Sequence, residues 1–281
     1  MLKKLIKYDL KFMLKLWWIA ALAALVLSAA GAVFIRIISS DRELPVIIYV
    51  VAMLSLFVMA LALMAFVILS AIIIYGRFYK NFFTDEGYLT FTLPVTRGQL
   101  LNSKLISMLI VNTMTTVVLF LCFLLMLVLG AGEYLPEILT PLGEAFTSRW
   151  QNMREEKVVG WVILYGVELL SIMLLSSVFG LLFTTSCITF GSIIAKRGKL
   201  AASIGIYFGA NWLYSQSLQI FYMFGINSLG TWLGNVQLSD TNTYCLMIAM
   251  LLFCGVAIMG LVCSLLYTLQ YWMLDRKLNL P

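Results

Sequence analysis

Residues 46–75 read VIIYVVAMLSLFVMALALMAFVILSAIIIY, without one Asp, Glu, Lys or Arg. At helical rise, about 20 apolar residues cross a hydrocarbon core of roughly 30 Å. This stretch exceeds that length, so it predicts a span that tilts or projects beyond the bilayer. Outward from it, apolar runs recur at residues 17–38, 106–130, 161–195, 200–224 and 244–272. The pattern predicts an all-α fold, a polytopic membrane helix bundle with six transmembrane helices in a single domain.

Composition points the same way. Of 281 residues, 62% are hydrophobic and 11% charged, against about 25% charged in soluble domains. The basic N-terminus has no small-residue cleavage site and its apolar run continues to Ile35, so the first span is expected to stay with the chain. Cys122, Cys187, Cys245, Cys254 and Cys263 lie in or beside apolar runs without metal-ligand spacing and read as small packing residues. The net charge is +6, but the basic residues sit at span ends rather than on one soluble face, so no nucleic-acid partner is expected.

Charge placement predicts orientation. With six spans both termini share one side, which also holds residues 76–106 and 196–199 and carries fourteen of the 19 Lys and Arg residues. The other side keeps Arg36, Arg42, Arg149, Arg154 and Lys157, among eight acidic residues. The excess of positive charge places both termini in the cytoplasm.

Residues 1–16 predict an amphipathic interfacial helix, with Lys3, Lys4, Lys7, Lys11 and Lys15 on one arc and Leu5, Phe12, Met13 and Leu16 among the residues opposite. Asp9 projects into that apolar face, where a carboxylate is costly. It either meets a protein partner or lies where the helix frays towards headgroups. On the exterior, residues 131–160 form the largest loop; Thr140 followed by Pro141 reads as a helix start, with Leu142, Phe146, Trp150 and Met153 on one side to rest on the membrane surface. Residues 225–243, rich in Gly, Asn, Ser and Thr and containing Trp232, read either as a loop dipping to interface level or as a solvated one.

The cytoplasmic segment 76–105 differs from an ordinary loop. Arg77-Phe78-Tyr79-Lys80-Asn81-Phe82-Phe83-Thr84-Asp85-Glu86-Gly87-Tyr88-Leu89 is too aromatic to be freely solvated and too charged and interrupted to cross a membrane. Thr84 is placed to cap a short turn at Asp85 and Glu86 that Gly87 limits, giving a knuckle-like surface. After Pro94, Thr96 and Gln99 have capping-box spacing, so a helix is expected to start near Arg97 and run on into the third span. Force on such a knuckle would reach packed helices directly.

The stretch from Phe78 to Lys104, with its Thr84-to-Leu89 core and Leu93-Pro94-Val95 turn, resembles type-2 ATP-binding-cassette (ABC) transporter permeases of Gram-positive bacteria, as do the Lys7-Tyr8-Asp9-Leu10-Lys11 run and the six-span layout. Within that family the chain is similar to permease subunits of phenol-soluble modulin peptide toxin exporters. The resemblance implies a subunit of the bacterial plasma membrane, joined to a second permease subunit as a homodimer, with a heterodimer as the alternative. It implies a cytoplasmic ABC ATPase in two copies, bound through a coupling helix at Asp85, Glu86, Gly87, Tyr88 and Leu89, with ATP and Mg on that partner and no cofactor on this chain. The alternative for those residues is that they only anchor the loop at the interface.

The chain has no G-x-x-x-x-G-K-[ST] phosphate loop and no histidine, which removes its own ATP hydrolysis, serine and cysteine triads and histidine metal sites. It is not expected to be an enzyme. Glu168 is the clearly intramembrane ionisable residue. It faces a cavity, binds a cationic part of a substrate, or pairs with Arg36. Tyr207, Asn211, Ser215 and Gln219, with Gln216 near that edge, form a polar stripe at helical spacing that either lines an export path or hydrogen-bonds neighbouring helices. Ala201, Gly205 and Gly209, like Ala20, Ala24, Ser28 and Ala32, form small-residue stripes that let helices approach, and either set is a candidate dimer seam. An apolar cavity with amides, tyrosines and one carboxylate suits amphipathic or hydrophobic cargo, peptides such as cytolytic toxins or antimicrobial peptides first. Lipid or drug efflux, a proton-coupled secondary transporter using Glu168, and a scaffold without transport are the competing readings.

Overall fold

The computed structural model describes residues 2–38, 45–84, 86–87, 92, 94–155, 158–195, 198–235 and 241–276. The long helices are α1 (Leu2–Ile38), α2 (Val46–Phe83), α3 (Arg97–Ala131), α4 (Leu135–Glu155), α5 (Val159–Ile194), α6 (Lys199–Asn235) and α7 (Thr241–Arg276), with a 3-10 turn at Gly132–Tyr134. No strand occurs among the described residues. Within the described residues, α1, α2, α3, α5 and α7 are long and apolar enough to cross a membrane. The helix α6 forms over comparable length, but Asn211, Ser215, Gln216, Ser217 and Gln219 interrupt its apolar run.

Two compact units divide the chain. One comprises Met1–Lys80 and Gln99–Asn152, the other Asn81–Gly98 and Met153–Pro281. In the first, Asp9 meets Lys104, Trp17 bonds Thr115, and Ile35 approaches Gly130, so α1 and α3 run parallel. Asp9 meets Arg77, Trp17 packs on Phe66 and Gly31 on Met59, which sets α2 antiparallel to α1. In the second, α5 packs against both α6 and α7. Phe183 against Tyr207 and Phe179 against Tyr214 make α5 and α6 antiparallel, while Tyr165 with Cys245 and Thr185 with Gln270 make α5 and α7 parallel. Both units therefore use the same up-down-up arrangement.

Burial inverts the pattern of a water-soluble protein. The buried stripe of α1 is Asp9, Met13, Trp17, Ala21, Ala24, Ser28, Gly31 and Ala32, whereas Leu22, Val26 and Val33 are exposed. Small and hydroxyl-bearing residues fill the interior, Ser28, Ser70, Ser103, Ser107, Thr185 and Thr189 among them, and large aliphatic ones cover the outside. Lipid tails solvate that outside as well as a core would, so helices gain by close approach and internal hydrogen bonds instead.

Four helix bounds differ from the sequence expectation. Residues 1–16 and 17–38 form one uninterrupted helix, because no Gly or Pro falls between Lys3 and Ala30 to break it. The helix α2 continues past residue 75 to Phe83. The expected start at Thr140 is instead interior to α4, which begins at Leu135 with Pro136 in its first turn, where a missing N–H is tolerated. There Thr140 Oγ1 donates to the Pro136 carbonyl at 2.8 Å, and Pro141 sits within an exposed helix whose freed carbonyl faces open space. Residues 225–235, expected in a loop, continue α6 to Asn235.

Candidate functional site

The segment after residue 75 remains helical because its aromatic side chains are buried: Phe78, Phe82 and Phe83 are inside, as is Asn81. At Thr84 the chain turns. The Gly87 N–H donates to the Thr84 carbonyl at 2.7 Å, and a Cβ at Gly87 would lie 2.9 Å from the Phe82 carbonyl oxygen. Backbone approaches backbone there, which is why glycine occupies the position. Glu86 is exposed on this turn. Asp85, Tyr88 and Leu89 lie outside the described residues.

The chain re-forms a helix at Arg97, whose guanidinium fixes that start. It donates to Asp275 Oδ1 at 2.9 Å and to the backbone carbonyls of Asp275 at 2.5 Å and Leu274 at 3.5 Å. Those carbonyls belong to the last turn of α7 and lack helical partners, and a cation there also meets the negative end of the helix dipole.

Asp9 is 3% exposed. Lys104 Nζ donates to both of its carboxylate oxygens at 2.5 Å, and Arg77 Nε lies 3.6 Å from Oδ1. The Arg77 guanidinium also sits over the Phe12 ring, 4.2 Å from its centroid. The carboxylate in the apolar stripe is thus held by two cations from different helices, the arrangement a buried charge requires.

Glu168 lies on α5 one turn beyond Tyr165 and is partly buried; its Oε2 has no hydrogen-bond partner among the described residues. The Tyr165 hydroxyl, one turn back along the helix, is committed to the Cys245 carbonyl at 2.7 Å. On α6, Tyr207 and Tyr214 join Phe179 and Phe183 of α5 in an aromatic cluster with ring centroids 5.4 to 6.2 Å apart. Asn211, Ser215, Gln216 and Gln219 are exposed, and Ser215 turns its hydroxyl back onto the Trp212 carbonyl at 2.8 Å. By the α5–α6 register, Asn211 lies opposite residues near 181, about 20 Å along α5 from Glu168, and Gln219 opposite residues near 173, about 8 Å from it, at 1.5 Å per residue. Tyr207 sits in the aromatic cluster apart from the exposed amides, and Glu168 lies far from Tyr207 and Asn211 but near the level of Gln219.

Three pairings went unread in the sequence: Lys104 and Arg77 on Asp9, Arg97 on Asp275, and Tyr165 on Cys245. Lys104 carried a usable signal, because it shares a helical stripe with Leu100, Leu101, Ser107, Met108 and Val111, all buried, and a lysine on such a stripe needs an anion. The other two partners are far apart in sequence and had no such mark.

Five apolar helices of membrane-crossing length among the described residues, apolar exposed surfaces and a buried ion pair near one helix end define the class: a multi-pass helical membrane protein. No protein family, curated protein or solved structure matches the chain.

Proposed function

We propose that the chain is the membrane-spanning permease subunit of an ATP-driven exporter in a bacterial plasma membrane, with the ATPase supplied by a separate cytoplasmic polypeptide. The observation that carries this reading is the turn at Thr84–Gly87 on the end of an unusually long α2. Its helix base is fixed by buried Phe78, Phe82 and Phe83, its tip exposes Glu86, and the following helix α3 runs without interruption from Arg97. A glycine-tightened turn with an exposed carboxylate, carried on the end of a long helix, suits a contact through which a motor's motion reaches packed helices instead of being absorbed by a loop. Asp85, Glu86, Gly87, Tyr88 and Leu89 are its partner-contacting residues, and the termini share its cytoplasmic side.

In this reading α6 is the sixth span. Asn211, Ser215, Gln216 and Gln219 are exposed in the single subunit, and amides cannot face hydrocarbon without cost. Their exposure supports a position along the export path of a dimer, facing water or a second permease subunit. Mostly apolar walls with amides, the tyrosines and Glu168 suit amphipathic or hydrophobic cargo, above all basic amphipathic peptides.

One observation favours a second reading, a proton-coupled transporter without an ATPase: the Glu168 oxygen that has no hydrogen-bond partner among the described residues. A single experiment separates the two. The tagged chain is purified from native membranes and the bound nucleoside-triphosphatase activity measured, for the wild type and for Glu86→Ala/Tyr88→Ala. The exporter reading expects captured ATPase in the wild type and about a tenfold loss or more in the variant, the equivalent of 1.4 kcal/mol of contact energy. A wild-type chain that brings down no ATPase sinks the exporter reading and leaves the proton-coupled one.

A further inference from the structure

Asp9 joins two places that the chain connects only by a long detour. The chain leaves the first unit after Lys80 and returns to it at Gln99. Arg77 stands one turn before that departure, and Lys104 between one and two turns after the return. Both meet the same carboxylate: Lys104 Nζ at 2.5 Å from each oxygen, Arg77 Nε at 3.6 Å. Arg77 is gripped a second time by α1 through the Phe12 ring, one turn on from Asp9.

We infer that Asp9 is a positioning residue that ties both ends of the excursion 78–103, at Arg77 and Lys104, to the first turns of α1 and holds them in fixed register. The pin is a property of this chain alone, and only its use in coupling rests on the function proposed above.

The physical case has three parts. First, the carboxylate is buried on a stripe that is otherwise apolar or small, with Met13, Trp17 and Ala21 next along it. A group so costly to desolvate is a poor source of bulk stability, because an apolar pair of similar volume would serve as well. Second, its partners come from the outgoing and the returning helix, one from each. Packing contacts tolerate small slides between helices, whereas a lysine sharing its charge between two oxygens and a guanidinium held between a carboxylate and a ring fix distance and direction together. Third, one anion serves both cations, so loss of Asp9 takes the same partner from both ends in a single step.

The test uses the full-length protein in lipid nanodiscs, without partner, and reads amide hydrogen exchange over the helix ends 76–84 and 97–104 and over the middle of α3. Asp9→Asn alone risks misfolding, because it takes the carboxylate away from buried Lys104. Asp9→Asn/Lys104→Met removes both charges of that pair and keeps the volume filled. Asp9→Glu keeps a carboxylate for both cations. The expected result is exchange of both helix ends accelerated at least tenfold in Asp9→Asn/Lys104→Met, with the middle of α3 exchanging at the wild-type rate, and exchange near the wild-type rate in Asp9→Glu. Wild-type exchange of the helix ends in Asp9→Asn/Lys104→Met would overturn the pin and leave the pair as packing, and so would equal acceleration in Asp9→Glu. Capture of ATPase is measured on the same preparations: failure of the wild type to capture any counts against the proposed function alone, since the exchange result does not depend on a partner.

Discussion

Trp17 and Gln270 are both fully buried in a lipid-facing bundle, yet they differ in how their polar atoms are met. Trp17 Nε1 donates to Thr115 Oγ1 at 3.0 Å, and that hydroxyl gives its own proton to the Val111 carbonyl at 2.9 Å. Each polar atom in that Trp17–Thr115–Val111 relay has a partner. Gln270 instead lies with its Oε1 3.2 Å from Thr185 Oγ1, whose single proton is already given to the Leu181 carbonyl at 2.8 Å, and its Nε2 has no partner among the described residues. The two sites should therefore answer substitution with opposite signs. Thr115→Val keeps shape and strands the indole N–H, and should lower unfolding free energy by about 1 kcal/mol, in the upper part of the range found for hydrogen bonds between membrane helices. Gln270→Leu removes an unsatisfied donor at similar volume and should leave stability unchanged or raise it. Reversible unfolding in mixed micelles, with tryptophan fluorescence as the readout, measures both. A loss of more than about 1 kcal/mol for Gln270→Leu would show that the amide holds something in place and that its poor geometry misleads.

Glycines on the helices divide by the same kind of argument. A Cβ at Gly191 of α5 would lie 2.4 Å from the Ser203 Cα and 2.6 Å from its backbone nitrogen, so α5 and α6 touch backbone to backbone near the end of the one and the start of the other. Ser203 adds hydrogen bonds to the Ile188 carbonyl at 3.1 Å and the Lys199 carbonyl at 2.8 Å. No side-chain rotation relieves a contact with backbone, so Gly191→Ala should cost about 1–3 kcal/mol by overpacking, even though alanine is the better helix former. Gly180→Ala, on the same helix with nothing within 4 Å of its Cβ position, should be neutral or gain up to about 1 kcal/mol. Thermal unfolding of the two variants side by side checks the difference. The sequence could not separate these glycines, since both sit in apolar runs without a motif. What it did make legible was whatever depends on the bilayer: the long apolar segments, the helix start at Arg97 from its capping spacing, and the misfit of Asp9 on its stripe. Bounds that depend on burial were not legible. The helix α2 runs on to Phe83 because Phe78, Phe82 and Phe83 find cover, and an aromatic, charged stretch carries no periodic mark of that.

Assembly turns on which small-residue stripe remains open once the chain has folded. Ala24, Ser28 and Ala32 of α1 are buried within their own unit, with Gly31 against Met59 and the Ala32 carbonyl 3.6 Å from the Cβ position of Gly130. That stripe is already used inside the subunit. On α6, Ala201 is exposed, and Gly205 and Gly209 have nothing within 4 Å of their Cβ positions. Asn211, Ser215 and Gln219 stand exposed further along the same helix. A helix with open glycines followed by open amides is poorly matched to lipid on its own, because the amides lose water and the glycines leave the backbone uncovered. A second copy of the chain meets both needs, since small residues let two α6 helices approach and amides then bond across the seam or border a wet path. If so, a single cysteine at Gly205 or Gly209, in a chain whose five native cysteines are replaced by serine or alanine, should form a disulfide-linked dimer in native membranes on mild oxidation, because a two-fold axis at the glycines brings like residues together. A single cysteine at Ala24 should not, being covered by the subunit's own helices. Gly209→Trp should prevent the close approach and shift the purified protein from dimer to monomer by light scattering. Cross-linking at Ala24 but not at Gly205 or Gly209 would move the seam to α1 and remove the polar stripe of α6 from the proposed export path.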